Sequence, residues 1–429
     1  MVDLYAFNAL RYNQSKINDL SSVISPPYDI ISSDLRENLK EYSDLNIVNL
    51  ILPDGSGQLD KYQNASRILN KWIDDKILLK DDEKKIYIFE EKYIQDGNLK
   101  NIIGLIGLIK IEQYSSKIVL RHEKTLSKPR QDRFELLKNC RTNFGLIYML
   151  YDDDKAVIAD VISKKIKEHP ETSLTPRYDE SLSFNVWSIS NNVEIDKVRI
   201  HMKDKSVLIA DGHHRYETSR LYMDESTSTD ECSPEKYVLV LLMDINQKNI
   251  ELLPTHRLIR FKKSFGAEAI RRSLKEKFDI TDFKKDCYPS SQAIKELMQK
   301  ELKKTNKSFV FCTKSEDLFI ATLKKEFLPS HKKNRADDIY ENMDVNILHR
   351  LILEDCLKDH QIKDISFTHE ISQVLKKVSI LKDTDMGVII NAPDKNDVLE
   401  LSLSGKLMPQ KSTYFYPKPC TGLLMYKFD

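Results

Sequence analysis

The sequence predicts an α/β protein with a mixed β-sheet. Apolar stretches within residues 85–153 and about 198–261 have the length and β-branched content of strands, and helical patterns separate them. Three clusters of polar residues each lie at or next to a predicted strand end, a common location for ligand sites in α/β proteins. We therefore expect both stretches to supply strands of one sheet, with a C-terminal segment returning to meet them.

Length and composition limit the possible classes of protein. A chain of 429 residues is too long for one ordinary core, which predicts two or three domains. With 67 basic and 66 acidic residues the net charge is +1, so no overall field attracts nucleic acid or an anionic membrane. Six cysteines without paired spacing predict reduced thiols and a cytoplasmic protein. We expect neither an export signal nor a membrane span, since no apolar run reaches about 18 residues.

The first part of the chain is predicted to be an α-rich scaffold. Pro26 and Pro27 favour an extended turn, after which a serine-capped helix begins. Residues 62–76 have the apolar spacing of an amphipathic helix.

The first polar cluster ends a predicted strand, KIVLRHE. Arg121, His122 and Lys124 flank Glu123, and these cations should keep its carboxylate ionised and close to an anionic ligand. Taken alone, this feature is equally well explained as a solvated strand end.

Further elements fill the chain between this cluster and Phe261. We predict a loop at 127–133, a helix containing Phe134–Cys140, a strand at Phe144–Asp153, a helix at Ala156–Lys167, short strands at Phe184–Ser188 and Val198–Met202, and a hairpin of Lys236–Asp244 with Asn249–Phe261.

The second polar cluster, Asp211-Gly212-His213-His214-Arg215, joins the apolar strand Val207–Ala210 to a helix that contains Tyr216 and Met223. Glycine permits a tight turn, which places the polar residues at the strand end and in the first helical turn. Backbone N–H groups and the helix dipole favour an anion there, most often a phosphate. A solvated turn with an aspartate cap is one alternative. A metal site is another, but adjacent histidines point in different directions and no Cys or Glu lies at ligand spacing.

The later part of the chain offers less chemistry. Residues 264–335 contain two Lys-rich amphipathic helices and two strands. We interpret the runs of charged residues as solvated faces, and the segment as an inserted or peripheral module. His256 and Arg257 follow a strand and could reach a site, although core packing is the stronger interpretation. Residues 344–357 predict a capped helix in which His349 is a packed core histidine rather than a ligand.

The third polar cluster lies within Met408–Lys418. Lys411, Ser412 and Thr413 place one ammonium and two hydroxyls side by side, which suits an anionic group on a small substrate. The segment is not a Walker loop, because the glycines are missing.

These motifs resemble those of known families. SPPYD, HEKT, ADGHHRYE and MPQKSTYFYPK together resemble a widespread family of microbial proteins of unknown function, over nearly the full length. HE at a strand end, DGHHR between strand and helix, and a C-terminal P-x-K-[ST]-T also resemble the free-serine kinases of the ParB/sulfiredoxin-like superfamily. That resemblance implies a mixed sheet with a ParB/sulfiredoxin-like core plus additional α/β modules.

The same resemblance implies a division into segments and a role for each site residue. The expected segments are an N-terminal α-rich part at 1–84, the catalytic core at 85–262, the inserted module at 263–340, and a C-terminal α/β part at 341–429 that completes the site. The implied catalytic residues are Glu123, the general base, with Asp211 and His213; the phosphate and donor ligands are Gly212, His214, Arg215 and Lys124; and the substrate ligands are His122, Lys411, Ser412 and Thr413. The Arg-His pair that follows the last motif in those kinases is Tyr414-Phe415 here.

Phosphoryl transfer to the hydroxyl of free L-serine is therefore the expected reaction. It needs positioning, charge neutralisation and a group that takes the hydroxyl proton, and these residues supply such groups. No adenine-pocket signature is visible, so ATP, ADP and pyrophosphate all remain possible donors. Mg2+ is expected on the donor's phosphate oxygens and one carboxylate such as that of Asp211.

Two other classes of function remain open. A non-catalytic sensor of phosphometabolites or nucleotides would use the same cations, and a catalytically placed Glu123 is the feature that separates the two. A CTP-regulated, ParB-like DNA-binding protein needs a basic face that the charge balance does not provide. Sulfiredoxin chemistry needs a cysteine in the central motif, where His213 stands instead.

Overall fold

The structure is a computed structural model that describes residues 1–57, 59–95, 97–123, 127–226, 228–283, 290–302, 307–314, 318–329, 334–381 and 383–428. It is an α/β protein with a large mixed sheet, as predicted. Contacts group the residues into two units. Unit 1 comprises residues 1–121, 125–251 and 417–429, and unit 2 comprises residues 122–124 and 252–416.

The strands and helices are numbered in chain order. The strands up to residue 189 are β1 (Leu4–Tyr5), β2 (Leu10–Tyr12), β3 (Leu78–Lys80), β4 (Ile86–Gln95), β5 (Asn98–Lys110), β6 (Val119–Leu120), β7 (Thr142–Asn143), β8 (Ile147–Tyr151), β9 (Thr172–Leu174) and β10 (Leu182–Ile189). The later strands are β11 (Val207–Asp211), β12 (Tyr237–Asp244), β13 (Glu251–Leu253), β14 (His256–Phe261), β15 (Phe278–Asp282), β16 (Ser308–Thr313), β17 (Leu318–Leu323), β18 (Ile362–Thr368), β19 (Met386–Ile389), β20 (Tyr414–Tyr416) and β21 (Tyr426–Lys427).

The α-helices are α1 (Ser33–Tyr42), α2 (Val48–Ile51), α3 (Lys61–Asp74), α4 (Ser127–Cys140), α5 (Val157–Lys165), α6 (Asn192–Met202), α7 (His213–Glu225), α8 (Ala267–Leu274), α9 (Ser291–Leu302), α10 (Arg335–Asn342), α11 (Asp344–Ile347), α12 (Ile371–Leu375) and α13 (Lys395–Ser404). Two π-helical segments follow α11 and α12, at Leu348–Cys356 and Lys376–Ile380. Within the described residues, no helix is long and apolar enough to span a membrane.

Unit 1 is built on a mixed sheet to which nine strands contribute among the described residues. The strand order is β6-β11-β8-β12-β5-β4-β10-β9, and β1 pairs with β5. The β11–β6 and β12–β8 pairs are parallel and the other pairs are antiparallel. Side chains from α5 and α6, together with Tyr216 of α7, bury the apolar face of this sheet. The start of α7 is therefore fixed to the sheet by packing.

Unit 2 contains a second sheet, of six antiparallel strands within the described residues, in the order β15-β17-β16-β19-β14-β18. Helices α9 and α12 contribute Ile294 and Val374 to its core. The predicted module at 263–340 thus supplies three strands of a sheet that also contains β14, β18 and β19. The four segments predicted along the chain stay a prediction, whereas contacts gather the residues into the two units.

The predicted strand at Val198–Met202 is wrong, because these residues end helix α6. Asn191 caps the helix by accepting a hydrogen bond from the backbone N–H of Val193. Ile195, Val198 and Met202 are buried at helical spacing. Packing on the sheet overrides the β preference of the valine and isoleucine residues.

The predicted hairpin of Lys236–Asp244 with Asn249–Phe261 is also wrong. Strand β12 pairs with β5 and β8 on its two sides, and β14 pairs with β18 and β19 in the other sheet. A strand has only two edges, and distant partners occupy both edges of each strand. The prediction of one sheet for both stretches therefore holds only up to Asp244.

The segment predicted as a loop at 127–133 forms the beginning of helix α4, which runs from Ser127 to Cys140. Pro129 lies in the first helical turn. Proline is tolerated there because the first N–H groups of a helix have no partner within the helix.

One buried carboxyl group in unit 1 has no partner. Glu91 of β4 is 0% exposed, and among the described residues neither of its oxygens has a hydrogen-bond partner. Burial, with a smaller effect from Asp179, raises the pKa of this carboxyl well above its ordinary value of 4.5. Burial therefore favours the neutral form of Glu91.

Glu91→Gln should remove a pH-dependent loss of stability. Above pH 4.5 the unfolded chain releases the Glu91 proton while the folded protein keeps it. Stability therefore falls as pH rises, by up to about 1.4 kcal/mol per pH unit, until the pH reaches the folded-state pKa. Denaturant titrations between pH 5 and 7 should show an advantage of the variant that grows with pH. A difference that is constant with pH would contradict this account.

Candidate functional site

The turn at the start of α7 is made by a β-bulge and a glycine. Ile209 pairs with Met149, but Asp211 pairs with Tyr148, so β11 advances two residues while β8 advances one. This shift turns the Asp211 side chain away from the face on which Ile209 and Met149 are buried. Gly212 follows with φ at 95°, a left-handed conformation that an L side chain rarely adopts. The predicted tight turn is present.

Arg215 clamps this turn. Its guanidinium donates hydrogen bonds to the carboxylate of Asp211 and to the backbone carbonyl of Leu146. A Cβ atom on Gly212 would lie 3.0 Å from Nε of Arg215, and one on Gly145 would lie 3.1 Å from Nη1. Both glycines are therefore needed for the guanidinium to lie against the backbone. In this structure Arg215 holds the turn together.

Asp211 also binds a second cation that the sequence did not reveal. Nζ of Lys418 lies 2.7 Å from Oδ1 of Asp211 and 2.8 Å from a carboxylate oxygen of Asp29. The side chain of Lys418 is only 7% exposed, so these contacts are largely shielded from water. We call Asp29, Asp211, Arg215 and Lys418 the Asp211 cluster. Asp29 and Lys418 lie in the SPPYD and MPQKSTYFYPK motifs, which were the available signal for both residues.

Two cations contact the carboxylate of Asp211, the predicted magnesium ligand. One carboxylate oxygen faces Lys418 and the other accepts a hydrogen bond from Arg215. Across the described residues, no group of three or more His, Cys, Asp or Glu side chains could hold a metal ion. The role of Asp211 as the single carboxylate ligand of donor-bound Mg2+ stays a prediction.

A small cavity lies beside the Asp211 cluster in unit 1. Its volume is about 70 Å³, and the residues that line it include Arg133 and Arg215. Arg133 stacks on the ring of Tyr28, 4.3 Å from the ring centroid, and donates a hydrogen bond to the carbonyl of Ile51. Phe144 and neighbouring leucines make the rest of the lining mainly apolar.

In unit 2, the carboxylate of Glu123 is surrounded by donors from the C-terminal motif. Its Oε1 accepts hydrogen bonds from the backbone N–H groups of Ser412 (2.8 Å) and Thr413 (2.9 Å) and from the Thr413 hydroxyl (2.9 Å). Its Oε2 accepts one longer bond, of 3.2 Å, from the N–H of Lys411. A β-bridge between Glu123 and Met408 aligns the two segments. We call this arrangement the Glu123 cradle.

The hydroxyl of Thr413 links Glu123 to a buried histidine. Nε2 of His122 lies 2.7 Å from Oγ1 of Thr413, and the His122 side chain is fully buried. Since the single hydroxyl proton is donated to Glu123, the histidine must donate its Nε2–H to the threonine oxygen. The Thr413 hydroxyl is thereby held in one orientation.

Lys411 and Ser412 have different surroundings. Ser412 is 0% exposed and its hydroxyl donates to the carbonyl of Pro409, so this hydroxyl shapes the loop. Lys411 is exposed and has φ at 55°. A lysine in the left-handed region is strained, and such strain is often found at functional sites.

The structure therefore brings together some of the predicted site residues within each unit. Unit 2 contains His122, Glu123, Lys411, Ser412 and Thr413 in one group of contacts. Unit 1 contains Asp211–Arg215 at the start of α7, with His213 and His214 half-buried in its first turn. Lys124, the predicted donor ligand, lies outside the described residues.

Residues 4–346 match the model of a protein family described as protein of unknown function, DUF1015. The chain belongs to the DUF1015 family. Membership of a family of unknown function, which the sequence motifs predicted, is thereby confirmed. No curated protein gives a significant match to this DUF1015 chain.

Several solved structures are similar to this DUF1015 chain. They include a mutant free serine kinase in complex with ADP, at 12% identity and a TM-score of 0.38, covering 75% of this chain and 91% of that chain. A conserved hypothetical protein from Pyrococcus furiosus has 12% identity and a TM-score of 0.35, covering 73% and 90%. SbnI from Staphylococcus aureus, truncated at its C-terminus, has 9% identity and a TM-score of 0.35, covering 74% and 86%. At these TM-scores the similarity assigns no activity to this chain.

Asp211→Asn should destabilise the protein more than Asp29→Asn. The first change leaves Arg215 and Lys418 without the carboxylate they share, and breaking a buried pair costs about 3–5 kcal/mol. The second change removes one of the two carboxylates from Lys418, which keeps Asp211, so its cost should be smaller. Free energies of unfolding from denaturant titration would measure both changes. Equal losses would show that Asp211 is not the centre of the cluster.

Proposed function

We propose that this protein transfers a phosphoryl group to the hydroxyl of free L-serine and forms O-phospho-L-serine, with ATP, ADP or pyrophosphate as donor. The observation that carries the proposal is the Glu123 cradle. Three hydrogen bonds fix Oε1, while Oε2 accepts a single long one. A carboxylate oxygen has two lone pairs, so Oε2 can accept another proton donor. The cradle therefore holds the carboxylate in one orientation and leaves Oε2 able to accept a further hydrogen bond.

In the proposed reaction, Oε2 of Glu123 accepts the hydroxyl proton of serine as the hydroxyl oxygen attacks the terminal phosphorus of the donor. A new O–P bond forms and the bond from phosphorus to the leaving oxygen breaks. The leaving group is ADP, AMP or phosphate, according to the donor. The four hydrogen bonds hold the Glu123 carboxylate in place before the transfer.

His122 and Thr413 would act through Glu123 rather than on the substrate. The chain of bonds from His122 to Thr413 to Oε1 fixes the rotation of the carboxylate. Fixed rotation keeps Oε2 in one position, which a proton acceptor requires. We assign both residues a positioning role, in place of the direct substrate binding that the motif implied.

Lys411 is the group in the cradle best suited to contact an anionic substrate. Its backbone N–H binds Glu123 while its side chain is exposed. An ammonium next to the proton acceptor would neutralise charge that develops on the transferred phosphoryl group. The strained backbone at this residue supports a functional reason for keeping a lysine there.

For the donor, we propose binding of its phosphates at the start of α7, with Gly212, His213 and His214 in the first turn. The helix dipole and the orientation of the turn favour an anion there. Arg215 would contribute by holding the turn, since Asp211 and Leu146 already engage its guanidinium. Mg2+ would enter with the donor, held mainly by its phosphate oxygens.

The direct test is incubation of the purified protein with Mg2+ and L-serine against ATP, ADP and pyrophosphate in turn, with O-phosphoserine measured by mass spectrometry. Product with one donor would establish donor and acceptor together. If none of the three donors gives product while phosphate compounds still bind, the protein is a phosphometabolite sensor and the kinase proposal is wrong.

Glu123→Gln should lower kcat by about two to four orders of magnitude and leave KM within a few-fold. The amide oxygen can keep the three bonds made by Oε1, so the loop should stay in place while the proton acceptor is lost. Glu370→Gln makes the same chemical change at an exposed acid of unit 2 and serves as the control. A Glu123→Gln variant that retains full kcat would exclude Glu123 as the base.

Lys411→Gly should raise the stability of the protein and lower its transfer activity. Glycine relieves the left-handed strain and should raise the free energy of unfolding by up to about 1 kcal/mol. Loss of the ammonium should lower kcat/KM by about tenfold to a hundredfold. Lys117 has φ at 57°, so Lys117→Gly is a matched control that should gain similar stability without loss of transfer. Retained activity in Lys411→Gly would show that the backbone of Lys411, and not its ammonium, matters.

A further inference from the structure

A guanidinium group in unit 2 is buried without an acidic partner. Arg257 of β14 is 0% exposed, and no described carboxylate forms an ion pair with it. One of its terminal nitrogens donates to the carbonyl of Thr255, and its plane lies over the ring of Phe367, 4.8 Å from the centroid. Its other hydrogen bonds among the described residues are made to the side chain of His349.

Burying a lone charge costs free energy, because water is lost and no opposite charge replaces it. Burial lowers the pKa of Arg257 to about 10, so the group is still charged at neutral pH. The charge of Glu123 acts on it favourably, although the two groups form no ion pair. An apolar residue of similar volume at position 257 could be buried at a lower cost in free energy. The retained charge therefore indicates an anion that arrives from outside.

His349 occupies the part of Arg257 that normally binds a carboxylate. Nε and Nη2 of the guanidinium form its side-on fork, and both lie 3.4 Å from the single atom Nε2 of His349. A carboxylate would give this fork two bonds of about 2.7–2.9 Å. Burial and the nearby arginine lower the pKa of His349 to about 4, so the imidazole is neutral and accepts hydrogen bonds. The contact is long and weak for so polar a pair.

Two further observations point to a ligand at this position. Oγ1 of Thr255 is buried and has no hydrogen-bond partner among the described residues, so it can donate to a bound oxygen. His349 lies in the π-helical segment Leu348–Cys356, and π-helical turns are frequent at functional sites.

We propose that Arg257 binds the carboxylate of the acceptor amino acid, and that His349 occupies the arginine fork until the ligand displaces it. This inference rests on the proposed function, since it names the subsite for the serine carboxylate. Unit 2 then supplies groups for both ends of the acceptor: Glu123 for the hydroxyl and Arg257 for the carboxylate. The Tyr414-Phe415 sequence, which replaces the Arg-His pair of the free-serine kinases, leaves that carboxylate without another assigned cation.

Binding can be measured without any transfer reaction, by calorimetry with L-serine, D-glycerate and ethanolamine. The first two compounds carry a carboxylate and a hydroxyl, whereas ethanolamine lacks the carboxylate. The native protein should bind L-serine or D-glycerate and should bind ethanolamine at least a hundredfold more weakly. Binding of ethanolamine as tight as that of L-serine, or no binding of either carboxylate, would overturn the proposal.

Variants of Arg257 and His349 test the two parts of the site. Arg257→Met fills a similar volume without a charge, so its denaturation midpoint should equal or exceed that of the native protein, while affinity for L-serine should fall about a hundredfold. A structural role would instead lower the midpoint and leave affinity unchanged in the folded fraction. Arg257→Lys keeps the charge but loses the fork, and should also bind weakly. His349→Ala should bind L-serine several-fold more tightly, because nothing needs to be displaced, and weaker binding would refute its role as the occupant.

The same variants distinguish failure of this inference from failure of the proposed function. If the native protein phosphorylates serine and Arg257→Met leaves KM for serine unchanged, the carboxylate site is wrong and the kinase stands. If no donor gives phosphoserine but Arg257→Met abolishes the binding of L-serine, the carboxylate site stands and the kinase is wrong.

Discussion

The hydrogen bonds to Glu123 are the constraint on which the candidate chemistry of unit 2 depends. They join residues 288 to 290 positions apart in the sequence, and backbone groups supply three of the four donors. Backbone N–H groups do not vary with the side chain, so the conformation of the loop, rather than the identity of Ser412, determines them. Ser412 and His122 then have supporting roles, because one closes the loop and the other orients the Thr413 hydroxyl.

The Asp211 cluster of unit 1 and the buried Arg257 of unit 2 differ in how their charges are balanced. In the Asp211 cluster, two carboxylates and two cations neutralise each other, so the cluster can be largely buried at a moderate cost. In unit 2, the hydrogen bonds and the ring contact of the buried Arg257 guanidinium, among the described residues, involve uncharged groups. Neutralised charges fix a structure, whereas an unbalanced charge leaves binding energy available to a ligand. The proposed anion site therefore lies around Arg257, whereas Arg215 clamps the turn before α7.

Local features of the site could be predicted from the sequence, and non-local ones could not. The strand, glycine turn and helix around Asp211 follow from neighbouring residues, and the structure contains each of them. The contact of Glu123 with residues 411–413 was predictable only through resemblance to known motifs. Lys418 and Asp29 are separated from Asp211 by about two hundred residues in each direction, so no local pattern could reveal the ion pairs. The same limit explains the wrong hairpin at β14, since strand partners depend on long-range register.

Because of the bulge before Asp211, the position of the Asp211 side chain depends on whether the number of residues in β11 is odd or even. Side chains alternate between faces, so the one additional residue in β11 determines whether the aspartate joins the cluster or enters the apolar core. Apolar residues of β11 can therefore exchange with one another over evolution while their number stays fixed. Loss of a single codon from this stretch would keep its hydrophobic character and still place a carboxylate among isoleucine and methionine side chains. In β11, the number of residues therefore determines where Asp211 lies, whereas the choice among apolar residues does not.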